Sequence, residues 1–123
     1  MAQVLLLEDD PELRMVFREF LLGADHSVYS VGTCEEALTA LRNNTPDILV
    51  LDVMIAAGTS LDVAKAAADL TPSAPVIFMT GSKDFCLTTA RGMNDNVQSV
   101  LRKPVLMKNL QDAVALAVQP GSI

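Results

Sequence analysis

Four consecutive apolar residues closed by a carboxylate, Ile48-Leu49-Val50-Leu51-Asp52, constrain this chain more than any other stretch. The run is too short for a stable helix, and Asn43-Asn44-Thr45-Pro46 interrupts the chain just before it. An unbroken apolar run in place of alternation predicts a strand buried on both faces, the condition of a parallel sheet. Val4 to Leu7 is a second such run, and it leads directly into Glu8, Asp9, Asp10 and Pro11. In open α/β sheets ligands bind at the carboxyl ends of the strands, so the acids after both runs stand where chemistry would be done.

The remaining segments continue the alternation. Asp10 is expected to cap a first helix with Pro11 in its opening turn, because proline has no amide proton to lose there. Leu13, Val16, Phe17, Phe20 and Leu21 give that helix one apolar face, which Gly23 is expected to end. His26 to Val31 is a weaker strand, with His26 taken as a surface turn residue. Thr33 to Glu36 has the spacing of a capping box, followed by Ala37, Leu38 and Leu41. Beyond Asp52 a mixed loop runs to Thr59 or Ser60, either of which could cap an alanine-rich helix over Leu61 to Leu70, which Thr71-Pro72-Ser73-Ala74-Pro75 breaks. Val76 to Met79 and Val97 to Leu101 are the last strands; Lys83 to Arg91 is a weakly periodic helix, and Met107 to Val118 a clear one. Five strands alternating with five helices predict an α/β fold with a parallel sheet covered on both faces.

At 123 residues the chain is the size of one domain, expected over residues 1–119 with a frayed tail at 120–123. Fifteen acidic against nine basic residues give a net charge of −6, which disfavours binding to a phosphate backbone, so no direct nucleic acid partner is expected. Cys34 and Cys86 lie in no metal-ligand spacing and are expected as reduced thiols. No apolar run approaches the roughly 20 residues of a membrane span, so no membrane association and a cytoplasmic setting are expected.

A parallel sheet brings all the strand ends to one edge. Glu8, Asp9, Asp52, Thr80 and Lys103 would therefore converge. Three neighbouring carboxylates repel one another unless a cation sits among them. Hard oxygen ligands with room for water suit Mg²⁺, which favours a few carboxylates plus substrate phosphate. A phosphoryl group could then be held between the metal and the Lys103 and Thr80 side chains.

Val4-Leu5-Leu6-Leu7-Glu8-Asp9-Asp10-Pro11-Glu12-Leu13-Arg14, Asp47-Ile48-Leu49-Val50-Leu51-Asp52, Met79-Thr80-Gly81 and Lys103-Pro104, taken in order, resemble the receiver domain of two-component response regulators. The resemblance covers essentially the whole chain and extends to stand-alone chemotaxis regulators. It implies a flavodoxin-like sheet of strand order 2-1-3-4-5 and a bacterial phosphorelay protein that is not an enzyme beyond phosphorylating and dephosphorylating itself. It further implies that Asp52 accepts a phosphoryl group from a histidine kinase or phosphotransfer protein and that a downstream protein partner senses the change. Asp9 would ligate Mg²⁺ directly, Glu8 through water and Met54 through its backbone carbonyl. Thr80 would swing to a phosphoryl oxygen, Lys103 would pair with Asp52 or the phosphate, and the bond to Pro104 would be cis. The sequence departs from the pattern at Ala56 and Ser60, in place of a proline and a glycine. It also departs at Val100, in place of an aromatic that changes rotamer, at Asp95-Asn96-Val97 and at Leu106.

Three other readings compete. Val100, Ala56 and Ser60 suggest a binding module that does not signal through phosphate. A Mg²⁺-dependent phosphohydrolase working through an aspartyl phosphate lacks a second acid two positions after Asp52, where Met54 stands. A flavin phosphate would be repelled by the acidic first turn. No DNA-binding or catalytic segment follows the last helix, so the expected output is protein contact, unless the sequence is a piece of a longer chain.

Overall fold

A computed structural model describes residues 2–55, 58–70, 74–82 and 85–118. In chain order the elements are β1 Gln3–Leu7, α1 Pro11–Gly23, β2 Ser27–Val31, α2 Cys34–Asn43, β3 Ile48–Asp52, α3 Leu61–Ala68, β4 Val76–Thr80, α4 Leu87–Met93, β5 Val97–Arg102 and α5 Met107–Ala117. The five strands form one sheet of order β2-β1-β3-β4-β5, and every neighbouring pair is parallel.

Successive residues of the central strands supply opposite sides of the sheet, which is why alternation is missing from the sequence. Leu5, Leu7, Leu49, Leu51 and Phe78 pack on one side with Ala37 of α2, Val63 and Ala64 of α3 and Ala90 of α4. Val4, Leu6, Ile48, Val50, Ile77 and Met79 pack on the other with Phe17 and Leu21 of α1 and Leu110 and Val114 of α5. Each fully buried leucine or isoleucine contributes about 1.5–3 kcal/mol by leaving water. Such burial fixes the register of β3 and therefore the position of Asp52 at its end.

The helix starts follow the predicted chemistry where a side chain can reach the backbone. Asp10 Oδ1 accepts the amides of Glu12 at 2.9 Å and Leu13 at 3.3 Å. Thr33 Oγ1 accepts the Glu36 amide at 3.1 Å, while Glu36 Oε1 reaches back to the Gly32 amide at 3.3 Å. Ser60 occupies the position before α3 without a capping bond, and its buried hydroxyl has no hydrogen-bond partner among the described residues. Leu106 likewise precedes α5 with no side chain able to cap it.

Several boundaries differ from the expectation. Helix α1 runs through Gly23, and the left-handed turn residue is Asp25, with φ of 68°. Strand β2 begins at Ser27, not His26; His26 is half-buried, and its Nδ1 accepts the Ala2 amide at 3.2 Å, so it is a tether of the first strand and not a surface turn residue. Helix α3 ends at Ala68, and strands β4 and β5 each extend one residue further, to Thr80 and Arg102. Helix α4 covers Leu87–Met93 in place of the expected 83–91. Phe85 and Cys86 precede it; Phe85 is drawn onto Phe78 of the core. The loop after Asp52 contains a small antiparallel pairing of Met54–Ile55 with Gly58–Thr59. Ala56, residues 71–73 of the expected break, the expected helix start at Lys83 and the tail at 120–123 lie outside the described residues.

Neither Cys34 nor Cys86 is in a disulfide. No helix among the described residues is long and apolar enough to cross a membrane.

Candidate functional site

The carboxyl edge of the sheet carries the predicted residues, and two of their carboxylates meet one ammonium. Glu8 follows β1 and is fully buried; Asp52 closes β3 and is buried too; Thr80 closes β4. Lys103 follows β5, and its Nζ donates to Asp52 Oδ2 at 2.9 Å and to Glu8 Oε1 at 3.0 Å. Asp9, half-buried, turns inward beside them. One carboxylate oxygen from each of Glu8, Asp9 and Asp52 lies within 4.8 Å of the others.

Backbone bonds hold these groups at fixed depth. The Lys103 amide donates to the Thr80 carbonyl at 2.7 Å, continuing the β4 to β5 ladder past its last pair. The Lys103–Pro104 bond is cis. The Val53 amide donates to the Met79 carbonyl at 2.9 Å, and Ser60 donates to the Val53 carbonyl at 3.0 Å, so the chain leaving Asp52 is tied on both sides. Met54 begins the small hairpin two residues beyond Asp52. Thr80 Oγ1 accepts the Ser82 amide at 3.0 Å.

Burial governs the electrostatics. It pushes the Glu8 carboxyl up from 4.5 to about 7, and the nearby Asp52 charge acts in the same direction. The hydrogen bonds from Lys103 and from the Asp10 amide oppose that rise without cancelling it. For Lys103, burial alone would lower the pKa, but the hydrogen bonds to Asp52 and Glu8 outweigh it and hold the ammonium above its ordinary value. Three carboxylates facing one ammonium leave an excess of negative charge, and the donors are all hard oxygens. Such a set fits a small divalent cation of the Mg²⁺ type.

Glu8, expected to reach a metal only through water, lies deeper than Asp9. Two residues whose part was not predicted hold it there. Arg14 of α1 donates from its guanidinium to the Glu8 carbonyl at 2.9 Å. Gly32 leaves the room for that guanidinium, since a Cβ built at Gly32 would overlap it. An arginine six residues after the acid, on the inner turn of the following helix, is the only local signal for this contact.

The same order of strands, acids and lysine is the signature of a family, and the sequence matches the response regulator receiver domain over residues 4–115. The chain belongs to the response regulator receiver family. It is thus a receiver domain of two-component signalling, whose members work with histidine kinases and downstream targets. This receiver is similar to regulatory protein LuxO of Vibrio cholerae, at 29% identity over 119 residues that cover 95% of this chain and 26% of LuxO. It therefore spans about a quarter of the length of that relative. Its fold is similar to that of a two-component response regulator from Clostridium difficile, with TM-score 0.84 and 19% identity over the whole of both chains. It is also similar in fold to response regulator protein TrrA from Thermotoga maritima in complex with Mg²⁺ and BeF, with TM-score 0.82, 20% identity, and 95% and 99% of the two chains covered.

Proposed function

We propose that this receiver is a Mg²⁺-dependent phosphoacceptor, modified on Asp52 by a partner histidine kinase or phosphotransfer protein, and that the modification switches its contacts with a downstream protein. The observation that carries the reading is the Lys103 ammonium bound at once to Asp52 and Glu8, inside a cluster that includes Asp9. The relative in fold from Thermotoga maritima, seen with Mg²⁺ and BeF, supports the same assignment.

Each residue then has a definable part. Asp9 and Asp52, with Glu8 behind them and the Met54 carbonyl beside them, would hold Mg²⁺. When bound, the ion neutralises charge on the phosphoryl oxygens. An Asp52 carboxylate oxygen forms the new bond to phosphorus as the bond to the donor nitrogen breaks, and the electron pair of that bond leaves with the donor imidazole. Lys103 already sits 2.9 Å from Asp52 and would follow the charge from the carboxylate to the phosphoryl group. Thr80 would exchange the Ser82 amide for a phosphoryl oxygen. Such a transfer requires positioning and charge compensation more than covalent chemistry by the protein.

The test is incubation with Mg²⁺ and ³²P-labelled acetyl phosphate. Acid-stable, base-labile label is expected on the wild type and none on Asp52→Asn. Equal labelling of the two proteins would overturn the assignment of Asp52. Absence of label from both would return the reading to a binding module that works without phosphate. Domain extent is part of the same proposal: residues 1–119 act as one unit.

A further inference from the structure

The peptide that joins Glu8 to Asp9 lies where β1 passes into the acidic turn. The Glu8 amide donates to the Val31 carbonyl at 3.1 Å, just past the final register pair of β1 and β2, Leu7 with Val31. In a parallel ladder the amide and carbonyl of one residue face the same neighbouring strand, so the Glu8 carbonyl is aimed at the chain beyond Val31. Strand β2 ends at Val31, and Arg14 of α1 supplies a donor to that carbonyl from Nη1 at 2.9 Å. Arg14 is itself fixed at the start of α1, where its amide donates to the Asp10 carbonyl at 2.9 Å. Its guanidinium runs so close to Gly32 that a Cβ there would overlap Nη1 and lie 3.4 Å from Cζ. The φ of Gly32 is outside the left-handed region, so this glycine is needed for space and not for its backbone conformation.

A peptide is planar, so the direction of the Glu8 carbonyl sets that of the Asp9 amide and, through it, where the Asp9 side chain leaves the backbone. Asp9 supplies one of the three carboxylate oxygens that lie within 4.8 Å of one another. The bond from Arg14 is charge-assisted, and so stronger than one from a neutral backbone amide. We infer that Arg14 is a positioning residue for the divalent cation: it clamps the Glu8–Asp9 peptide against the end of β2 so that Asp9 presents its carboxylate to the ion, and Gly32 is the gap that admits the guanidinium. The inference rests on the Mg²⁺-dependent phosphoacceptor reading and goes beyond it in tracing metal affinity to two residues outside the carboxylate cluster. Charge alone predicts the opposite sign. Arg14 is a cation near three carboxylates, so its removal would by Coulomb's law tighten the binding of another cation. Removal of a clamp loosens it instead, and groups that orient a metal ligand are worth about 10–100-fold in affinity.

The test follows Mg²⁺ binding without any phosphoryl donor, through the amide shifts of Asp9 and Asp52, in wild type, Arg14→Met, Gly32→Ala and the double variant. Arg14→Met keeps an apolar stem and removes the donor; Gly32→Ala keeps the charge and displaces the guanidinium. Each single change is expected to weaken Mg²⁺ binding about tenfold. The double variant is expected to bind no more weakly than either single one, because both changes remove the same bond. Labelling by acetyl phosphate should then need about tenfold more Mg²⁺ for half its rate and reach the wild-type level at saturation. Affinity that rises in Arg14→Met, or stays unchanged in Gly32→Ala, would overturn the clamp and leave the phosphoacceptor standing. Losses that multiply in the double variant would do the same, since the two residues would then act independently. Gly32→Ala removes neither charge nor donor and decides the matter by itself if Arg14→Met does not fold. Wild-type site amides that ignore Mg²⁺ would overturn both readings.

Discussion

Glu8 makes the metal-free protein lose stability as the pH rises through neutrality. Its carboxyl titrates at about 7 in the folded chain, chiefly because it is buried, against 4.5 as the ordinary value. Between those two values the folded state retains a proton that the unfolded state has released, so stability falls with increasing pH. The contribution is fully present below about pH 4.5 and gone above about pH 7. At about 1.4 kcal/mol per pH unit the gap corresponds to about 3 kcal/mol. Water reaches the mouth of the site, where the Lys103 side chain is 25% exposed, and screening brings the expected effect to roughly 2 kcal/mol. Urea unfolding in the presence of a chelator, at about pH 5 and about pH 8, measures it through the shift in midpoint at constant slope. Glu8→Gln keeps the shape and the hydrogen-bonding oxygen but cannot ionise, so its stability should change less between the two pH values by that amount. The same pH dependence in wild type and Glu8→Gln would refute the reasoning. Mg²⁺ selects the ionised carboxylate, so its affinity should rise with pH up to about 7 and its addition should recover stability most strongly above that value.

Three further substitutions test the fold around the site. Thr33→Ala removes the bond to the Glu36 amide and should lower stability by about 1 kcal/mol in urea unfolding. Asp25→Gly relieves a positive φ of 68° between α1 and β2 and should raise stability by about 1 kcal/mol, seen as a higher Tm. Asn96 donates from Nδ2 to the carbonyls of Ala74 at 2.9 Å and Ala64 at 3.3 Å, so Asn96→Asp would set a buried carboxylate against two carbonyl oxygens. It should cost about 3 kcal/mol or more, with the loss growing above about pH 4 as the new acid ionises; denaturant midpoints at low and neutral pH would show it.

The parts of this molecule legible in the sequence are those that local chemistry decides. Val4 to Leu7 and Ile48 to Leu51 are apolar throughout because each residue meets a helix layer on one side of the sheet or the other, so the runs declare both the strand and its burial. Asp10 and Thr33 declare helix starts because the capping bond spans only two or three residues. With the strands placed, parallel topology brings Glu8, Asp52, Thr80 and Lys103 to one edge without further information.

Distant contacts that strand order alone does not dictate were not legible. The depth of Glu8 depends on Lys103, 95 positions away, and on an arginine whose path is open only because position 32 is glycine. Asn96 carries no local signature, yet it joins the middle of α3 to the segment before β4 through two carbonyls. Periodicity placed the start of α4 too early for a related reason: the residues around Phe85 have no strong preference of their own, and Phe85 meets Phe78 edge to face ahead of a helix that starts at Leu87. An element whose boundary is fixed by one tertiary contact, and not by a cap, can be moved by changing that contact.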